Sequence, residues 1–320
     1  MTIVRALWIT APQEAVTCDT TYRAAEGELE IKTLFTGISR GTERLVYHGQ
    51  VPASEHANMR APFQEGDFTF PLKYGYAAVG EVQNGDRQGE VVFSLFPHQT
   101  SFAVPDHMAL PVPADVPAAR AVLAANMETA VNITWDAGIS IGDRVVVVGC
   151  GVVGALAGYL AAKIPGTDVT LVDIDPSRAA LAATLGCDFA TPDTAQEAAD
   201  VVIHASASAA GLSLAIALAG TEATVIEASW YGAQSTEVPL GGQFHHRRLR
   251  IVSSQVGRVP ARQAARWDFG RRLAKALALL NDPALDALIS GETAFGDLPA
   301  AYDEILRDPS TLCHRVRYEG

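Results

Sequence analysis

Cysteine, methionine and tryptophan are each scarce in this chain of 320 residues, with four of each. Cys18, Cys150, Cys187 and Cys313 are scattered and form no C-x-x-C pair. That excludes a clustered-thiolate zinc site and a disulfide framework. Buried, reduced thiols in a cytoplasmic protein are the expectation. Basic side chains are also in deficit, 24 against 36 acidic ones, for a formal net charge of -12. Such a charge repels phosphate backbones and argues against nucleic acid as a partner. It leaves open a nucleotide held by backbone N–H groups. The start of the chain, MTIVRALWITAP, lacks the apolar stretch that a signal peptide needs. Neither an internal repeat nor a low-complexity segment is present.

What remains is an ordinary globular composition, 48% hydrophobic and 19% charged. Its length favours roughly two domains. One run needs care: residues 145–162, VVVVGCGVVGALAGYLAA, carry no charge over 18 residues. By length this is a borderline membrane span. Yet four valines suit a buried strand, three glycines follow, and then Ala, Leu and Tyr suit a helix. The run therefore reads as strand, tight turn and helix, with no membrane role.

Beyond it, strands at Val169–Val172, Val201–His204, Ala223–Ala228 and Leu249–Ser253 alternate with helical sequence. One helix is expected to start with Asp175 as N-cap and Pro176 in its first turn, and to stop at Gly186. Such alternation predicts a doubly wound parallel sheet, an α/β domain over 121–257. Residues 1–120 are richer in turns. Short strands are expected at Ala6–Ile9, Glu28–Phe35, Ala78–Val82, Glu90–Phe93 and Ser101–Val104, a mostly β domain. A connecting helix is expected over 117–137. The tail, 258–320, should return to the first domain, with helices near Ala261–Leu280 and Leu298–Arg307 and a strand at His314–Tyr318.

The turn Gly149-Cys150-Gly151-Val152-Val153-Gly154 has the G-x-G-x-x-G spacing. The first glycine permits the turn, the second admits a pyrophosphate, and the third lets helix and strand close up. Phosphates would sit at the helix N-terminus, where N–H groups and the dipole favour anions. Asp173, 19 positions after Gly154, ends the next strand, where a carboxylate binds ribose hydroxyls. Its charge favours NAD over NADP, with Arg178 close enough in sequence to keep NADP possible. Ligands of such sheets bind beyond the carboxyl ends of strands. Ser229, Trp230 and Tyr231 after the fifth strand, and Ser254 after the sixth, should therefore border the cofactor or substrate. His204 ends the fourth strand and is read as structural. His245-His246-Arg247-Arg248 is no metal motif, since adjacent strand residues face opposite ways.

This layout resembles the medium-chain dehydrogenase/reductase superfamily over nearly the whole chain. Leu171–Arg178, LVDIDPSR, is similar to the second-strand segment of its NAD-dependent alcohol dehydrogenases, and LAATLGCD to the segment after it. Pro71–Val82, PLKYGYAAVGEV, resembles P-x-x-x-G-H-E-x-x-G-x-V. Thr36–Glu43, TGISRGTE, resembles the loop that reads G-I-C-[GR]-[TS]-[DE] in zinc members. The resemblance implies a Rossmann domain beside a GroES-like catalytic domain, and an NAD(P)-dependent oxidoreductase. It also implies a small-molecule substrate and a homodimer joined at a Rossmann sheet edge.

The departures alter the chemistry. The zinc cysteine becomes Ser39, the histidine becomes Tyr76, its neighbouring glutamate becomes Ala77, and the third ligand should fall near Ala125. The four-cysteine lobe is missing. No zinc is expected, because zinc needs three good ligands. Tyr76 is then the first candidate to polarise the substrate oxygen, with Ser39 and Thr42 beside it. Glu43 is read as a relay or as an exposed or capping residue, and His98 as a hydrogen-bonded structural histidine. Arg40 matches a position where some alcohol dehydrogenases place a phosphate-binding arginine. Two blocks, SxGTE and PL-x-x-GY, also resemble bacteriochlorophyllide dehydrogenases, which oxidise a hydroxyethyl group. A quinone or enone reductase is the nearest enzymatic alternative, and a catalytically silent nucleotide-binding protein the alternative of another class.

Overall fold

The computed structural model describes residues 1–319. These form two compact units, residues 1–125 with the chain from Leu273 onward, and Asn126–Arg272. The divisions follow Ala125 and Arg272 rather than 120 and 257. The second shift has a physical cause. Arg272 is buried, donating to Glu128 at 3.0 Å, to Asn132 and to the Val256 carbonyl, all within the second unit.

In the first unit a hairpin joins β1 (Thr2–Ala11) to β2 (Glu14–Tyr22). β2 is absent from the strands expected above. It is an edge strand with no buried residue, so it has no apolar face to signal it. β3 (Glu28–Ser39) alternates inward and outward until its last residues, all buried, and runs directly into α1 (Arg40–Tyr47). The short β4 (Glu65–Gly66) and β5 (Leu72–Lys73) complete a four-stranded sheet, ordered β2-β1-β5-β4. β6 (Ala78–Val82), β7 (Val91–Ser94), β8 (Ser101–Pro105) and β9 (Leu110–Pro111) pack around β3. Their core includes Ile31, Val82, Val92 and Phe102, with Phe96 stacked on Phe102 at 4.0 Å. The helix expected over 117–137 is two helices, α2 (Ala118–Ala121) and α3 (Ala124–Ala137). At the break, the Val122 carbonyl lies so close to Gly37 that a Cβ there would be 2.9 Å away.

In the second unit β10 (Arg144–Val148), α4 (Val152–Ala162), β11 (Asp168–Val172), α5 (Arg178–Thr184), β12 (Asp188–Ala190), β13 (Ala199–His204), α6 (Ala209–Leu218), β14 (Ala219–Glu227), α7 (Gln243–His246) and β15 (Arg250–Ser253) follow in turn. Every strand pairing is parallel, in the order β12-β11-β10-β13-β14-β15. This is the doubly wound order, reversing direction between β10 and β13. Thus the apolar 145–162 run is a strand, a turn and a helix. Among the described residues no helix is long and apolar enough to cross a membrane. His245 and His246 lie on the short α7, not on a strand.

α8 (Ala261–Ala264) and α9 (Phe269–Ala278) replace one long helix. Asp268 accepts the Arg271 N–H at 2.7 Å and restarts the chain as a new helix. In the first unit, β16 (Ile289–Ala294), α10 (Leu298–Arg307) and β17 (Cys313–Arg317) end the fold. β17 pairs antiparallel with β3, Cys313 opposite Ser39, so both ends of the chain build one seven-stranded sheet. Three cysteines are buried as expected, but Cys18 is exposed, because it lies on the unburied β2.

Candidate functional site

Each glycine of the 149–154 turn has its own steric reason. Gly149 sits at φ +104°, and a Cβ there would lie 2.7 Å from the Ser206 backbone nitrogen. A Cβ on Gly154 would lie 2.0 Å from the Gly149 carbonyl oxygen. Gly151 has open space around its would-be Cβ, and it is the N-cap of α4. The helix therefore opens onto a bare, uncrowded turn. Its first-turn N–H groups, at Val152 and Val153, have no carbonyl within the helix to bond. Such a cradle fits a pyrophosphate.

Asp173 follows β11 and is partly buried. Its carboxylate accepts the Cys150 N–H at 2.7 Å and the Asp175 N–H at 3.0 Å. It thus ties the glycine turn to the end of β11, and a ribose would share these oxygens with two amides. The next helix starts two residues later than expected, at Arg178, with Ser177 as N-cap. Asp175 still accepts the Ser177 N–H at 3.0 Å, and Arg178 Nε lies 3.6 Å from the Asp175 carboxylate. Burial pushes the Cys150 thiol up to about 12, so it is no thiolate.

The other ligand-facing candidates of this unit have internal duties. Ser229 accepts the Ala207 N–H at 3.0 Å and donates its own N–H to Glu227 at 2.8 Å, joining the loops after β13 and β14. Ser254 was expected to border the cofactor. It is buried, and its hydroxyl donates to Asp136 at 2.7 Å, so it anchors α3 instead. His204 is wholly buried and bonds Glu227 at 2.8 Å. Tyr231 donates to the same carboxylate at 3.2 Å.

In the first unit the structure brings Tyr76, Ser39 and Thr42 together. Burial and then the charge of Glu43 push the Tyr76 phenol up to about 12, against hydrogen bonds from Ser39 and Thr42 that favour the phenolate. Tyr76 is thus a protonated donor at neutral pH. Tyr74 meets it edge-on, with ring centroids 6.0 Å apart. Gly75 between them, at φ +125°, lies against the His98 ring, where a Cβ would come within 3.0 Å.

Behind this cluster lies a polar network that sequence reasoning placed only in part. Glu43 is fully buried, not exposed. It accepts the Ser39 N–H at 2.7 Å, the Tyr302 hydroxyl at 2.8 Å and His98 Nε2 at 3.1 Å. His98 Nδ1 bonds Thr36 at 2.7 Å, and Thr36 meets the Tyr318 hydroxyl at 3.2 Å. Buried polar groups need such partners. Glu43 thus takes the N–H of the N-cap residue, as a capping residue would, and the same carboxylate is the hub. Tyr302 and Tyr318 come from the far end of the chain, so no local pattern exposes them. Arg40, expected to hold phosphate, donates from Nε to the Leu306 carbonyl at 3.1 Å, which links α1 to α10.

Ser39, Tyr76 and Ala125 stand at the positions that the resemblance assigns to zinc ligands. Two hydroxyls and a methyl do not fit zinc's demand for thiolate, imidazole or carboxylate. Among the described residues, no three His, Cys, Asp or Glu side chains are grouped to hold a metal ion.

The fold so defined is α/β, a parallel doubly wound sheet with a mostly β unit, the architecture of medium-chain alcohol dehydrogenase-like structures. L-idonate 5-dehydrogenase from Escherichia coli K-12 superposes with a TM-score of 0.80 at 14% identity, over 99% of this chain and 98% of that one. A short chain alcohol dehydrogenase from Escherichia coli CFT073, solved with NADH, superposes with a TM-score of 0.77 at 17% identity over 100% of both chains. In sequence, the chain is 30% identical over 100 residues to L-threonine 3-dehydrogenase of Mesorhizobium japonicum. That stretch is 31% of this chain and 29% of the relative's length. No family's sequence model matches the chain.

Proposed function

We propose that the chain is an NAD(P)-dependent oxidoreductase that works without zinc. It would move hydride between a nicotinamide and an alcohol or carbonyl, or a conjugated ketone. The observation that carries this reading is the glycine turn, in which Gly149 and Gly154 are sterically obligatory while Gly151 leaves the mouth open. The architecture shared with dehydrogenases, one of them solved with NADH, supports it. Residues Gly149, Gly151, Val152, Val153 and Gly154 would hold the pyrophosphate, and Asp173 the adenosine ribose. The Asp173 charge favours NAD over the extra phosphate of NADP.

When bound, the nicotinamide supplies or takes the hydride. Tyr76 would donate its proton to the substrate oxygen in the reductive direction and take it back in the oxidative one. Ser39 and Thr42 would stabilise the phenolate left behind, the task of a preorganised donor pair. The absence of a zinc-competent ligand set supports assigning this work to hydroxyls. We further propose a homodimer, supported by the edge strand β15, three of whose four residues are exposed.

Titration with NADH and NADPH tests the cofactor reading; tighter NADPH binding overturns the Asp173 argument. Metal analysis that finds one tightly held zinc per chain overturns the zinc-free mechanism. Dinucleotide binding without turnover of alcohols, aldehydes, quinones or enones would leave a silent binding protein.

A further inference from the structure

Basic side chains are scarce in the chain, 24 against 36 acidic ones, but they are not evenly spread. Residues 258–272, RVPARQAARWDFGRR, hold five arginines and a single acid, Asp268. This stretch closes the second unit. Arg272 is buried and pairs with Glu128, while Arg258, Arg262, Arg266 and Arg271 are exposed. Among the described residues none of these four lies within ion-pair distance of a carboxylate. The Asp268 carboxylate accepts the Arg271 backbone N–H at 2.7 Å, and Asp136 is engaged by Ser254 and Asn132. The stretch therefore carries an excess of positive charge.

Local contacts gather these arginines. Arg271 donates to the Arg266 carbonyl, and its guanidinium lies 4.0 Å over the Trp267 ring. Trp267 packs on Trp135 of α3, with ring centroids 4.9 Å apart. Arg262 Nη1 lies just past the end of α3, 3.0 Å from where a Cβ on Gly138 would stand. Apolar groups are interleaved with the charges. Ala261, Ala264 and Ala265 are exposed, and Phe269 is 55% exposed. A face of this kind suits a polyanion, and the aromatic rings indicate which. Nucleic acid would need bare ring faces on which bases stack. Here Arg271 covers Trp267, and the Arg272 guanidinium sits over the Phe269 ring at 5.3 Å. Exposed apolar groups set among arginines are instead the composition of a surface that lies in a membrane interface. At physiological ionic strength, charge more than about 8 Å away is largely screened, so the local excess governs such a contact rather than the net -12.

We propose that the face formed by Arg258, Arg262, Arg266, Arg271 and Phe269 docks the chain peripherally and reversibly on an anionic lipid surface. The guanidinium groups bind lipid phosphates, to which their planar fork is matched. Phe269 enters the boundary between headgroups and acyl chains. Each arginine held near an anionic membrane raises partitioning about fivefold. The docking needs no spanning helix, and it stands independently of the oxidoreductase reading.

The test is co-sedimentation of the full chain with sucrose-loaded vesicles, one set of phosphatidylcholine and one of an equal mixture of phosphatidylcholine and phosphatidylglycerol. The chain should sediment with the mixed vesicles at about 0.1 M salt, and should be released at about 0.5 M. The triple variant Arg258→Gln, Arg262→Gln, Arg266→Gln should lose tenfold or more in partitioning. Phe269→Ala, which leaves every arginine in place, should lose roughly threefold or more. Circular dichroism checks that each variant is folded, and the salt series on the wild-type chain stands whether or not the triple variant folds. Absent binding to the mixed vesicles, equal binding to pure phosphatidylcholine, or binding unmoved by salt overturns the proposal. So does a folded triple variant that binds as the wild type does. Binding to polyglutamate or to a single-stranded oligonucleotide, but not to vesicles, would show an anion-binding face of another kind and overturn the lipid assignment.

Discussion

Gly151→Ala and Gly154→Ala should part stability from binding, although the two substitutions add the same methyl group three residues apart. At Gly154 the methyl would lie 2.0 Å from the Gly149 carbonyl oxygen, a backbone atom that has no rotamer to escape into. Contact needs about 3.4 Å or more, so α4 must back away from the turn by more than about 1 Å. Overpacking of that kind costs about 1–3 kcal/mol. At Gly151 the φ is −73° and no atom lies within 4 Å of the added methyl. Losing a glycine N-cap and gaining chain stiffness offset each other, so stability should stay within about 0.5 kcal/mol of wild type. The methyl would instead occupy the space through which a pyrophosphate approaches the backbone. NADH affinity should fall roughly tenfold or more, about 1.4 kcal/mol. Urea denaturation followed by circular dichroism reads the first quantity, and quenching of NADH fluorescence reads the second. A Gly151→Ala protein that binds NADH as tightly as wild type refutes the assignment of the cradle. A Gly154→Ala protein of unchanged stability refutes the steric argument.

Three further outcomes are expected. Tyr76→Phe keeps the ring and removes the proton, so it should lower kcat about a hundredfold or more while NADH affinity holds; near wild-type turnover would remove Tyr76 from the mechanism. Glu43→Ala strands the Ser39 N–H, the Tyr302 hydroxyl and His98, three buried partners at about 1 kcal/mol each. A denaturation free energy lowered by about 3 kcal/mol is expected, and a loss under about 1 kcal/mol would mean that the network is solvated. Arg120 grips Asp286 with two bonds of 2.7 Å, and that hydrogen bonding holds the carboxyl below its usual range. The pair therefore stabilises the fold above the unfolded aspartate value of about 3.9 and loses that contribution as the pH falls through the depressed folded value. Asp286→Asn should flatten the acid limb of the stability profile measured from about pH 6 to about pH 2, and an unchanged limb would contradict the pairing.

The second unit was largely legible because its signals are local. Four valines, three glycines and an apolar helix lie next to one another, and the steric role of each glycine follows from the turn they make. In the first unit β3 and β8 were legible by alternation, and β1, β6 and β7 because each buries apolar residues. β2 was not, since neither of its faces is buried and pattern carries no information there. Helix boundaries failed at Val122, where a close approach to Gly37 intervenes, and at Asp268, where a local side-chain cap starts a new helix.

Site chemistry was legible only as far as sequence neighbours reach. Ser39, Thr42 and Glu43 share one turn, and Tyr76 follows from the departure at a single motif position. The groups that set their electrostatics are separated by up to 282 residues, the span between Thr36 and Tyr318. Glu43 shows why this matters. A glutamate four residues after an N-cap serine looks like a surface capping residue, and its backbone bond to Ser39 is that of a cap. What buries it is Tyr302, carried in on α10, and His98, carried in before β8. A charged group moved from surface to interior must be met by donors. The three that meet it come from three separate segments of the chain, so their convergence is a property of the fold. The same logic applies to His204. One residue after Ile203 it looks like the polar end of a strand, and only the register of β13 against β14 sets it opposite a carboxylate. Polar networks that join distant segments are therefore the part of this protein where structure adds to sequence, and the proposed proton donor is controlled by one.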